Sequence, residues 1–259
     1  MLDKLYIDNI IIGALKEDMP HGDITTDNII SASSVSEAVI IAKEEGIIAG
    51  IDVFERVFTL IDDKVEFKRH KQDGDKVFKG DVIIEIKGKT KVLLKAERTA
   101  LNLIQRLSGI ATLTNDFCKK IEDLPAKIVD TRKTTPNLRY LEKYAVRVGG
   151  GTNHRYCLSD GVLIKDNHIK AAGGIKNAVD MVRNKIPHTI KIEVETETLE
   201  QVQEALDAKA DIIMLDNMDN DKMKKAVKVI NKRALVEASG NVSNDNVREI
   251  ALTGVDIIS

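Results

Sequence analysis

Polar residues follow five of the six short apolar runs in the second half of this 259-residue chain. Basic residues follow the first two runs and carboxylates the next two, and the full set is Arg132, Lys133, Lys165, Asp166, Glu195, Asp216, Asn217, Glu237, Ser239 and Gly240. The carboxyl ends of parallel strands meet at one end of a barrel, so these side chains are expected to lie close together. Basic side chains gathered in this way would bind a substrate that has several negative charges.

The basic residues are concentrated in one part of the sequence. Residues 131–170 contain eight lysines and arginines and three acidic residues, although the whole chain has a net charge of −2. This concentration favours a focused anion site over a diffuse basic surface. Arg139, Lys143 and Arg147 lie at helical spacing and are equally consistent with a solvated helix face. Function is favoured for the four basic residues at strand ends or beside glycines, which are Arg132, Lys133, Arg155 and Lys165.

Glu195 and Asp216 end two successive apolar runs. Two carboxylates in such positions could bind sugar hydroxyls, or hold a Mg²⁺ ion that is already bound to the phosphates of a substrate. The alternative is a pair of structural salt bridges to the lysines. Buried ion pairs have a desolvation cost that makes them poor stabilising devices, so the functional interpretation is favoured.

The stretch "GGGTNHR", residues 149–155, raises the question of metal or nucleotide binding. Metal binding is weakly supported, because His154 and His168 lie fourteen residues apart and no paired-histidine motif accompanies them. A nucleotide loop is also weakly supported, because the stretch matches neither a P-loop nor a Gly-x-Gly-x-x-Gly fingerprint. We predict instead that the glycines let the chain turn, so that His154 and Arg155 approach a ligand.

The stretch "ASGN", residues 238–241, is the better candidate for binding phosphate. Its glycine follows a predicted strand and precedes a predicted helix, whose first amides would be free to bind an anion. The alternative interpretation is a plain turn.

The elements that must position these residues fall into two regions. Residues 1–18 have the apolar spacing of a helix, and residues 36–94 contain short β segments broken by glycines, with one helix over "GIDVFERVFTLID". The segment "TKVLLKAE" is predicted to be one of the β segments. A long helix is predicted over residues 97–121, with Gly109 as a potential break.

Beyond residue 121, apolar β runs alternate with helical stretches at roughly 20 to 25 residues per unit, which favours a parallel sheet with crossover helices. In "IKIEVET", Ile192 and Val194 fall on one face of the strand, and Glu193 and Glu195 fall on the other. An open sheet covered by helices would be apolar on both faces, so the polar face favours a barrel with a central site. Six strands are clear, so a complete eight-stranded barrel is not indicated.

Composition excludes several classes of protein. Hydrophobic residues make up 43% of the chain, which supports a sizeable core. The near-neutral charge, the aromatic content of 3% and the absence of tryptophan argue against nucleic-acid binding. Two cysteines cannot form a disulfide framework, and no apolar run approaches the ~18 residues of a membrane span. The N-terminus is too acidic for a signal peptide, so we expect a soluble, cytoplasmic protein with no nucleic-acid or membrane partner.

Six motifs resemble those of the quinolinate phosphoribosyltransferases, also called carboxylating nicotinate-nucleotide pyrophosphorylases. They run in family order as "EDMPHGDITT", "AERTALNLIQRLSGIAT", "DTRKTTPNLRYLEKYAVRVGGGTNHRYCLSDGVLIKDNHI", "IEVET", "DIIMLDN" and "EASGNV". The resemblance implies an α/β fold and a homodimer. An N-terminal α+β open sandwich domain would span residues 1–108, with its first helix a candidate to pack on the barrel. An incomplete (β/α) barrel, the catalytic domain, would span residues 109–259.

The same resemblance implies an enzyme, a type II phosphoribosyltransferase. Quinolinate and phosphoribosyl pyrophosphate would give nicotinate mononucleotide, pyrophosphate and CO₂ in NAD biosynthesis, with Mg²⁺ as the cofactor. Lys133, Glu195 and Asp216 would be the catalytic residues. The alternatives are a paralogue that acts on another base, such as the ModD-like proteins, and a non-catalytic phosphosugar-binding protein of the same fold.

Positions that match the family motifs also acquire expected binding roles. Quinolinate would bind to Arg98, contributed across the dimer interface, and to Arg132, His154 and Arg155. Phosphoribosyl pyrophosphate would bind to a larger set: Thr131, Lys133, Lys165, Glu195, Asp216, Ser239, Gly240 and Asn241. Mg²⁺ would be held mainly through the substrate, with Glu195 and Asp216 as candidate protein ligands. His168 is expected to be part of the scaffold.

The family continues past the last strand with a glycine-containing loop and a closing segment. This sequence ends with "VDIIS" at Ser259. Either the sequence is cut short and lacks the C-terminal end of the barrel, or the protein is impaired, and we favour the first alternative.

Overall fold

The structure is a computed structural model that describes residues 2–259. These residues form two compact units, and each is built from helices and strands of its own. The first unit comprises the chain up to Asn115 together with Thr134–Gly150, and the second comprises Asp116–Lys133 and Gly151–Ser259. Among the described residues, no helix is both long enough and apolar enough to cross a membrane.

The first unit combines helices with two small antiparallel sheets. Its strands are β1 (Val35–Ile41), β2 (Gly46–Ile47), β3 (Glu66–Arg69), β4 (Lys76–Val77) and β5 (Val82–Lys89). Its helices are α1 (Lys4–Asp18), α2 (Ile24–Ile29), α3 (Ile51–Thr59), α4 (Thr90–Lys120), whose last residues belong to the second unit, and α5 (Arg139–Val148). One sheet has the order β1-β5-β3, and the other pairs β2 with β4.

Helix α1 begins where the Asp3 carboxylate accepts a hydrogen bond from the amide of Leu5 at 2.9 Å, as expected of an N-cap. Its buried residues Ile7, Ile11 and Leu15 recur on one face and join the core of the first unit. The predicted helix is therefore present over Lys4–Asp18, and Met1 lies outside the described residues. The apolar face of the helix packs in the core of the first unit, where α1 contacts α3.

Helix α5 belongs to the first unit, although the predicted domains place residues 134–150 with the barrel. Glu142 is buried. Its carboxylate accepts hydrogen bonds from the guanidinium of Arg106 and, at 3.1 Å, from the backbone amide of Thr135. Lys143 is completely buried as well. The interpretation of α5 as a solvated basic face is therefore wrong for Lys143, because that side of the helix faces the core.

The β prediction for "TKVLLKAE" is wrong, because Thr90 begins the 31-residue helix α4. Val92, Leu93 and Ala96 are buried at helical spacing, and the same stripe continues along the helix. A short apolar run cannot be assigned to a strand or a helix from periodicity alone. The potential break at Gly109 is also absent, since α4 runs through it.

The second unit holds all six strands that the sequence predicts. They are β6 (Lys127–Ile128), β7 (Val162–Ile164), β8 (Ile192–Thr196), β9 (Ile212–Asp216), β10 (Leu235–Ser239) and β11 (Ile257–Ile258). The helices are α6 (Asp166–Ala172), α7 (Ile175–Arg183), α8 (Leu199–Asp207), α9 (Asn220–Ile230) and α10 (Val247–Ala251). The strands form one parallel sheet in the order β6-β11-β10-β9-β8-β7. A complete barrel has eight strands, so this fold is an incomplete (β/α) barrel, as predicted.

Strand register aligns the carboxyl ends of the central strands. Glu195 of β8 pairs with Met214 of β9, and Asp216 of β9 pairs with Ser239 of β10. The expected division between faces also holds in β8, where Ile192 is in the core and the odd-numbered glutamates lie on the opposite face. The register thus places the polar residues of neighbouring strands side by side at one end of the sheet.

Gly149 provides a test of packing in the first unit. A Cβ atom at this position would lie 2.4 Å from the carbonyl oxygen of Ala111 and 2.8 Å from the Cβ of Thr114. Because its φ of −73° suits any residue, Gly149→Ala tests steric fit alone and is expected to lower the free energy of unfolding by about 1–3 kcal/mol.

Gly109→Ala is the matched control, because a Cβ at that position in α4 meets nothing within 4 Å. It should raise the free energy of unfolding by up to about 1 kcal/mol, since alanine is the better helix former. Urea unfolding followed by circular dichroism measures both variants. Equal stability of Gly149→Ala and the wild type would contradict the close packing.

Candidate active site

A cavity of about 640 Å³ lies at the carboxyl ends of the barrel strands. Eleven of the twelve residues to which the sequence gives a site role line it: Thr131, Arg132, Lys133, His154, Arg155, Lys165, Glu195, Asp216, Ser239, Gly240 and Asn241. The remaining lining residues are Leu163, Met214, Asn217, Glu237 and Ser259. The pocket thus gathers basic and acidic groups from five strands and their following loops.

Arg98 is the one predicted site residue that this pocket does not contain, as far as the structure describes the chain. It lies on α4 in the first unit and its side chain is exposed. Its expected role depends on a partner subunit, so that role stays a prediction.

The loop after β6 supplies the first two cations of the pocket. The hydroxyl oxygen of Thr131 accepts a hydrogen bond from the amide of Lys133 at 3.0 Å, which closes a turn. This turn leaves Lys133 exposed at the pocket and Arg132 partly buried. The two side chains can therefore reach different parts of a bound anion.

The glycine stretch leads His154 into the barrel. Gly150 has a φ of 96°, a conformation that favours glycine, and Thr152 then forms a parallel bridge with Val129. Next to the bridge, the carboxylate of Asp130 accepts the backbone amide of His154 at 2.9 Å. The predicted turn at the glycines is present, and the hydrogen bonds that follow it fix the backbone of His154.

His154 lies between two buried glutamates inside the barrel. Its Nε2 is 2.9 Å from a carboxylate oxygen of Glu193 and 3.4 Å from one of Glu237, and these carboxylates are 3% and 1% exposed. The hydrogen bond to Glu193, and then the nearby carboxylate of Glu237, raise the pKa of His154 to about 10. Burial raises the pKa of Glu193 as well. The two carboxylates beside His154 thus favour the positively charged form of its ring, which lines the pocket.

This cluster has a spacing that a metal ion could use, since one ligand atom from each of the three residues lies within 4.8 Å of the others. The charged state of the ring opposes that use. A charged imidazole carries a proton on Nε2, the nitrogen that faces the two glutamates, and a protonated nitrogen has no free lone pair for a metal.

Arg155 is oriented by the hydrogen bond that its guanidinium donates to the carbonyl of Gly161, at 2.9 Å. Burial, and then the nearby charge of Arg132, lower the pKa of Arg155 from its ordinary value. Arginine remains charged in proteins even so, because its ordinary pKa is far above neutrality. Two neighbouring guanidinium groups create a positive electrostatic potential that attracts an anion.

Lys165 forms an ion pair with Glu195 at 2.8 Å. The structural alternative for this carboxylate is therefore present in the geometry, but it accounts for little stability. The Lys165 side chain is 48% exposed, and exposed ion pairs contribute only about 0–1 kcal/mol. His168 accepts a hydrogen bond from the amide of Lys165 at 2.9 Å, as expected of a scaffold residue.

Family models of the quinolinate phosphoribosyl transferases match both parts of the chain, the N-terminal domain over residues 23–108 and the C-terminal domain over residues 110–259. The chain belongs to the quinolinate phosphoribosyl transferase family. It is 46% identical over 258 residues to a probable nicotinate-nucleotide pyrophosphorylase (carboxylating) of Bacillus subtilis, covering 100% of this chain and 89% of that one. The corresponding protein of Synechocystis is 48% identical, covering 95% and 84%. The crystal structure of NadC from Streptococcus pyogenes matches with a TM-score of 0.96 at 42% identity, over 100% of this chain and 91% of that one.

In this family member, the "ASGN" loop differs from the predicted strand-to-helix turn. Helix α10 begins only at Val247, so no helix N-terminus follows Gly240 directly. Gly240 and Asn241 instead have φ values of 95° and 54°, in the left-handed region. The predicted helix N-terminus directly after Gly240 is therefore absent, and the loop itself lines the pocket.

Sequence reasoning missed the paired role of Glu193 and Glu237 in this family member. The alternation in β8 and β10 places both glutamates on the polar faces of their strands, but it does not bring His154 between them. Asn217 was noted only as a strand-end residue, and it proves to line the pocket.

The charge of His154 provides a test of the pocket electrostatics. Because its folded pKa of about 10 exceeds the ordinary value of 6.5, the ring should remain charged at pH 8. Its contribution to stability is fully present below pH 6.5 and is lost as the pH rises through about 10. Glu193→Gln should lower the midpoint by at least about one pH unit, because it removes the first carboxylate partner.

Nitrogen-15 chemical shifts of the imidazole, followed from pH 5 to 11, measure this midpoint. Glu197→Gln is the matched control, since it makes the same change at an exposed position four residues farther along. A neutral His154 ring at pH 8 in the wild type would refute the electrostatic role of the glutamates.

Proposed function

We propose that this protein transfers the phosphoribosyl group of phosphoribosyl pyrophosphate to quinolinate, with decarboxylation. The products are nicotinate mononucleotide, pyrophosphate and CO₂. The observation that carries the proposal is the single pocket in which two arginines, two lysines and a charged histidine face the carboxylates of Glu195 and Asp216. Membership of the quinolinate phosphoribosyl transferase family supports it.

Quinolinate has two adjacent carboxylates on a pyridine ring, and three cations that line the pocket suit that pattern. Arg132 and Arg155 each offer a planar fork of N–H donors, which matches the geometry of a carboxylate. His154 adds a positive charge beside them. A monocarboxylate would use only part of this set of donors, so the site should favour the dicarboxylate.

Phosphoribosyl pyrophosphate would occupy the side of the pocket formed by β8, β9 and β10. Glu195 and Asp216 would accept hydrogen bonds from the ribose hydroxyls, while Lys133 and Lys165 would bind the pyrophosphate. The 5′-phosphate would lie against Ser239, Gly240 and Asn241. Lys165 would then exchange its contact with Glu195 for contacts with the substrate.

The donor set fits Mg²⁺, because Glu195 and Asp216 offer hard carboxylate oxygens at the ends of adjacent strands. Mg²⁺ usually binds through one or two carboxylates together with substrate phosphates. When bound, it would supply neutralisation of the charge on the departing pyrophosphate.

The transfer step forms one bond and breaks one. The ring nitrogen of quinolinate donates its lone pair to the anomeric carbon, and the bond from that carbon to the pyrophosphate oxygen breaks. Pyrophosphate leaves with the electron pair, and positive charge develops on the ribose. Glu195 and Asp216 would stabilise that charge electrostatically, and Lys133 would stabilise the leaving group.

The decarboxylation step follows from the charge on the new nucleotide. Once the ring nitrogen is bonded to ribose it is positive, so it stabilises the electron pair left at C2 when CO₂ departs. A proton from solvent then completes the C2–H bond. No covalent nucleophile from the protein is needed for either step.

Arg98 is proposed to complete the quinolinate site from the partner subunit of a homodimer. Its exposure on α4 supports a role at an interface. The side chain would add a further guanidinium to the cations that face the two carboxylates. Thr131 would keep Lys133 in place through the hydrogen bond that closes their turn.

A product assay tests the proposed function. The purified protein, mixed with quinolinate, phosphoribosyl pyrophosphate and Mg²⁺, should form nicotinate mononucleotide and release CO₂. Lys133→Ala should lower kcat at least about 100-fold, because it removes a charge that acts on the leaving group. Lys170→Ala is the control, since this lysine is 75% exposed and lies outside the pocket.

The outcomes separate the alternatives. No product over a range of pH and Mg²⁺ concentration would overturn the proposal. A preference for a pyridine monocarboxylate in competition would favour a paralogue that acts on another base. Ligand binding without turnover, unchanged by Lys133→Ala, would favour a non-catalytic phosphosugar-binding protein.

Complementation tests the shared site. Arg98→Ala and Lys133→Ala are each expected to be nearly inactive, and mixed dimers of the two should regain partial activity. The reason is that one of the two sites in such a dimer would contain neither substitution. Verified heterodimers without any recovery would show that Arg98 acts elsewhere.

A further inference from the structure

Asn217 stands directly after β9 and lines the pocket, but it has no part in the reaction described above. Its side-chain Nδ2 donates a hydrogen bond to Oδ2 of Asp216 at 2.8 Å, and its Oδ1 accepts one from Nδ2 of Asn241 at 2.9 Å. Its backbone amide also donates to the carbonyl of Ser239 at 2.9 Å. One asparagine thus contacts three residues of the proposed phosphoribosyl site.

The backbone around this contact has an unusual conformation. Asn217 and Asn241 have φ values of 53° and 54°, a left-handed conformation that asparagine adopts more readily than most residues. Gly240 has a φ of 95°, and a Cβ added there would lie 2.2 Å from Oδ1 of Asn217. The glycine therefore leaves the space in which the Asn217 side chain sits between the two strand ends.

The chemistry of the contact requires an amide. Asp216 accepts a hydrogen bond and Asn241 donates one, so the residue between them must offer one donor and one acceptor. A carboxylate at position 217 would retain the acceptor but would repel Asp216. A residue without a polar side chain would lose both contacts.

The loop between β10 and α10 is also held by Asn246, independently of Asn217. Nδ2 of Asn246 donates to the carbonyl of Asn241 at 2.9 Å, and Oδ1 of Asn246 accepts the amide of Ser243 at 2.8 Å. Asn241 of this loop is thus hydrogen-bonded both to Asn246, which precedes α10, and to Asn217, which follows β9. Asn217 supplies the side-chain connection to β9.

We propose that Asn217 is a positioning residue that fixes the phosphate-binding loop relative to the ribose-binding carboxylate. It acts through Asp216 and Asn241, so it need not touch the substrate. The inference rests on the proposed function, because it concerns the spacing between two groups of one substrate. A 5-phosphoribosyl group has its ring hydroxyls and its 5′-phosphate at a fixed separation, and both must be bound at once.

This role predicts a selective kinetic effect. Asn217→Gly removes the side chain but keeps the left-handed backbone accessible. The KM for phosphoribosyl pyrophosphate should rise at least about tenfold, while the KM for quinolinate should stay within about twofold. Asn217→Asp should also raise the KM for phosphoribosyl pyrophosphate, because it keeps the hydrogen bond from Asn241 and loses the hydrogen bond to Asp216.

Asn231→Gly is the matched control. Asn231 also has a left-handed backbone, with a φ of 45°, and it is exposed at the end of α9. The control should leave both KM values unchanged. Thermal unfolding of all variants checks that they fold, and Asn217→Asp provides the test if Asn217→Gly does not.

A double-mutant cycle provides the decisive comparison. If Asn217 acts through the loop, Asn217→Gly and Asn241→Ala should not have additive effects on the KM for phosphoribosyl pyrophosphate. Additive effects, an unchanged KM in both Asn217 variants, or an equal rise in both substrates' KM would overturn the inference. An inactive wild type would instead refute the proposed function, so the two failures are distinguishable.

Discussion

Parallel pairing of β8, β9 and β10 is the constraint on which the pocket depends. Hydrogen-bonded register fixes which residues are neighbours at the strand ends, and it sets Glu195 beside Met214 and Asp216 beside Ser239. A slip of one residue in any of these strands would turn its polar residues away from the pocket and its apolar residues toward it. The apolar faces that form the core of the second unit therefore also hold the strands in the register that the site needs.

Charge balance is the second organising feature of the barrel. Two glutamates that are almost wholly buried would be costly if they were isolated, and His154 offsets that cost by standing between them as a cation. The same histidine faces the pocket in which the arginines and lysines gather. The acidic pair thus favours a positive charge on a residue that lines the pocket.

Much of the fold could be predicted from the sequence because local patterns were clear. The alternation of Ile192 and Val194 with Glu193 and Glu195 predicted both the strand and its polar face, and all six barrel strands are present. Prediction failed where a pattern fitted both a strand and a helix, or where tertiary packing determined which side of a helix is buried. The run after Thr90 was assigned to a strand although it opens α4, and Lys143 is buried although helical spacing allowed it to face solvent.

The sequence by itself determined the residue types at the strand ends and the family to which the motifs belong, since both are properties of order along the chain. Only the tertiary structure decided which of those residues meet. It brought His154 between Glu193 and Glu237, which lie far from it in the sequence, and it joined Asn217 to Asn241 across two strands. The physical reason is that these contacts depend on strand register and on backbone angles at single residues such as Gly240, which side-chain periodicity does not encode.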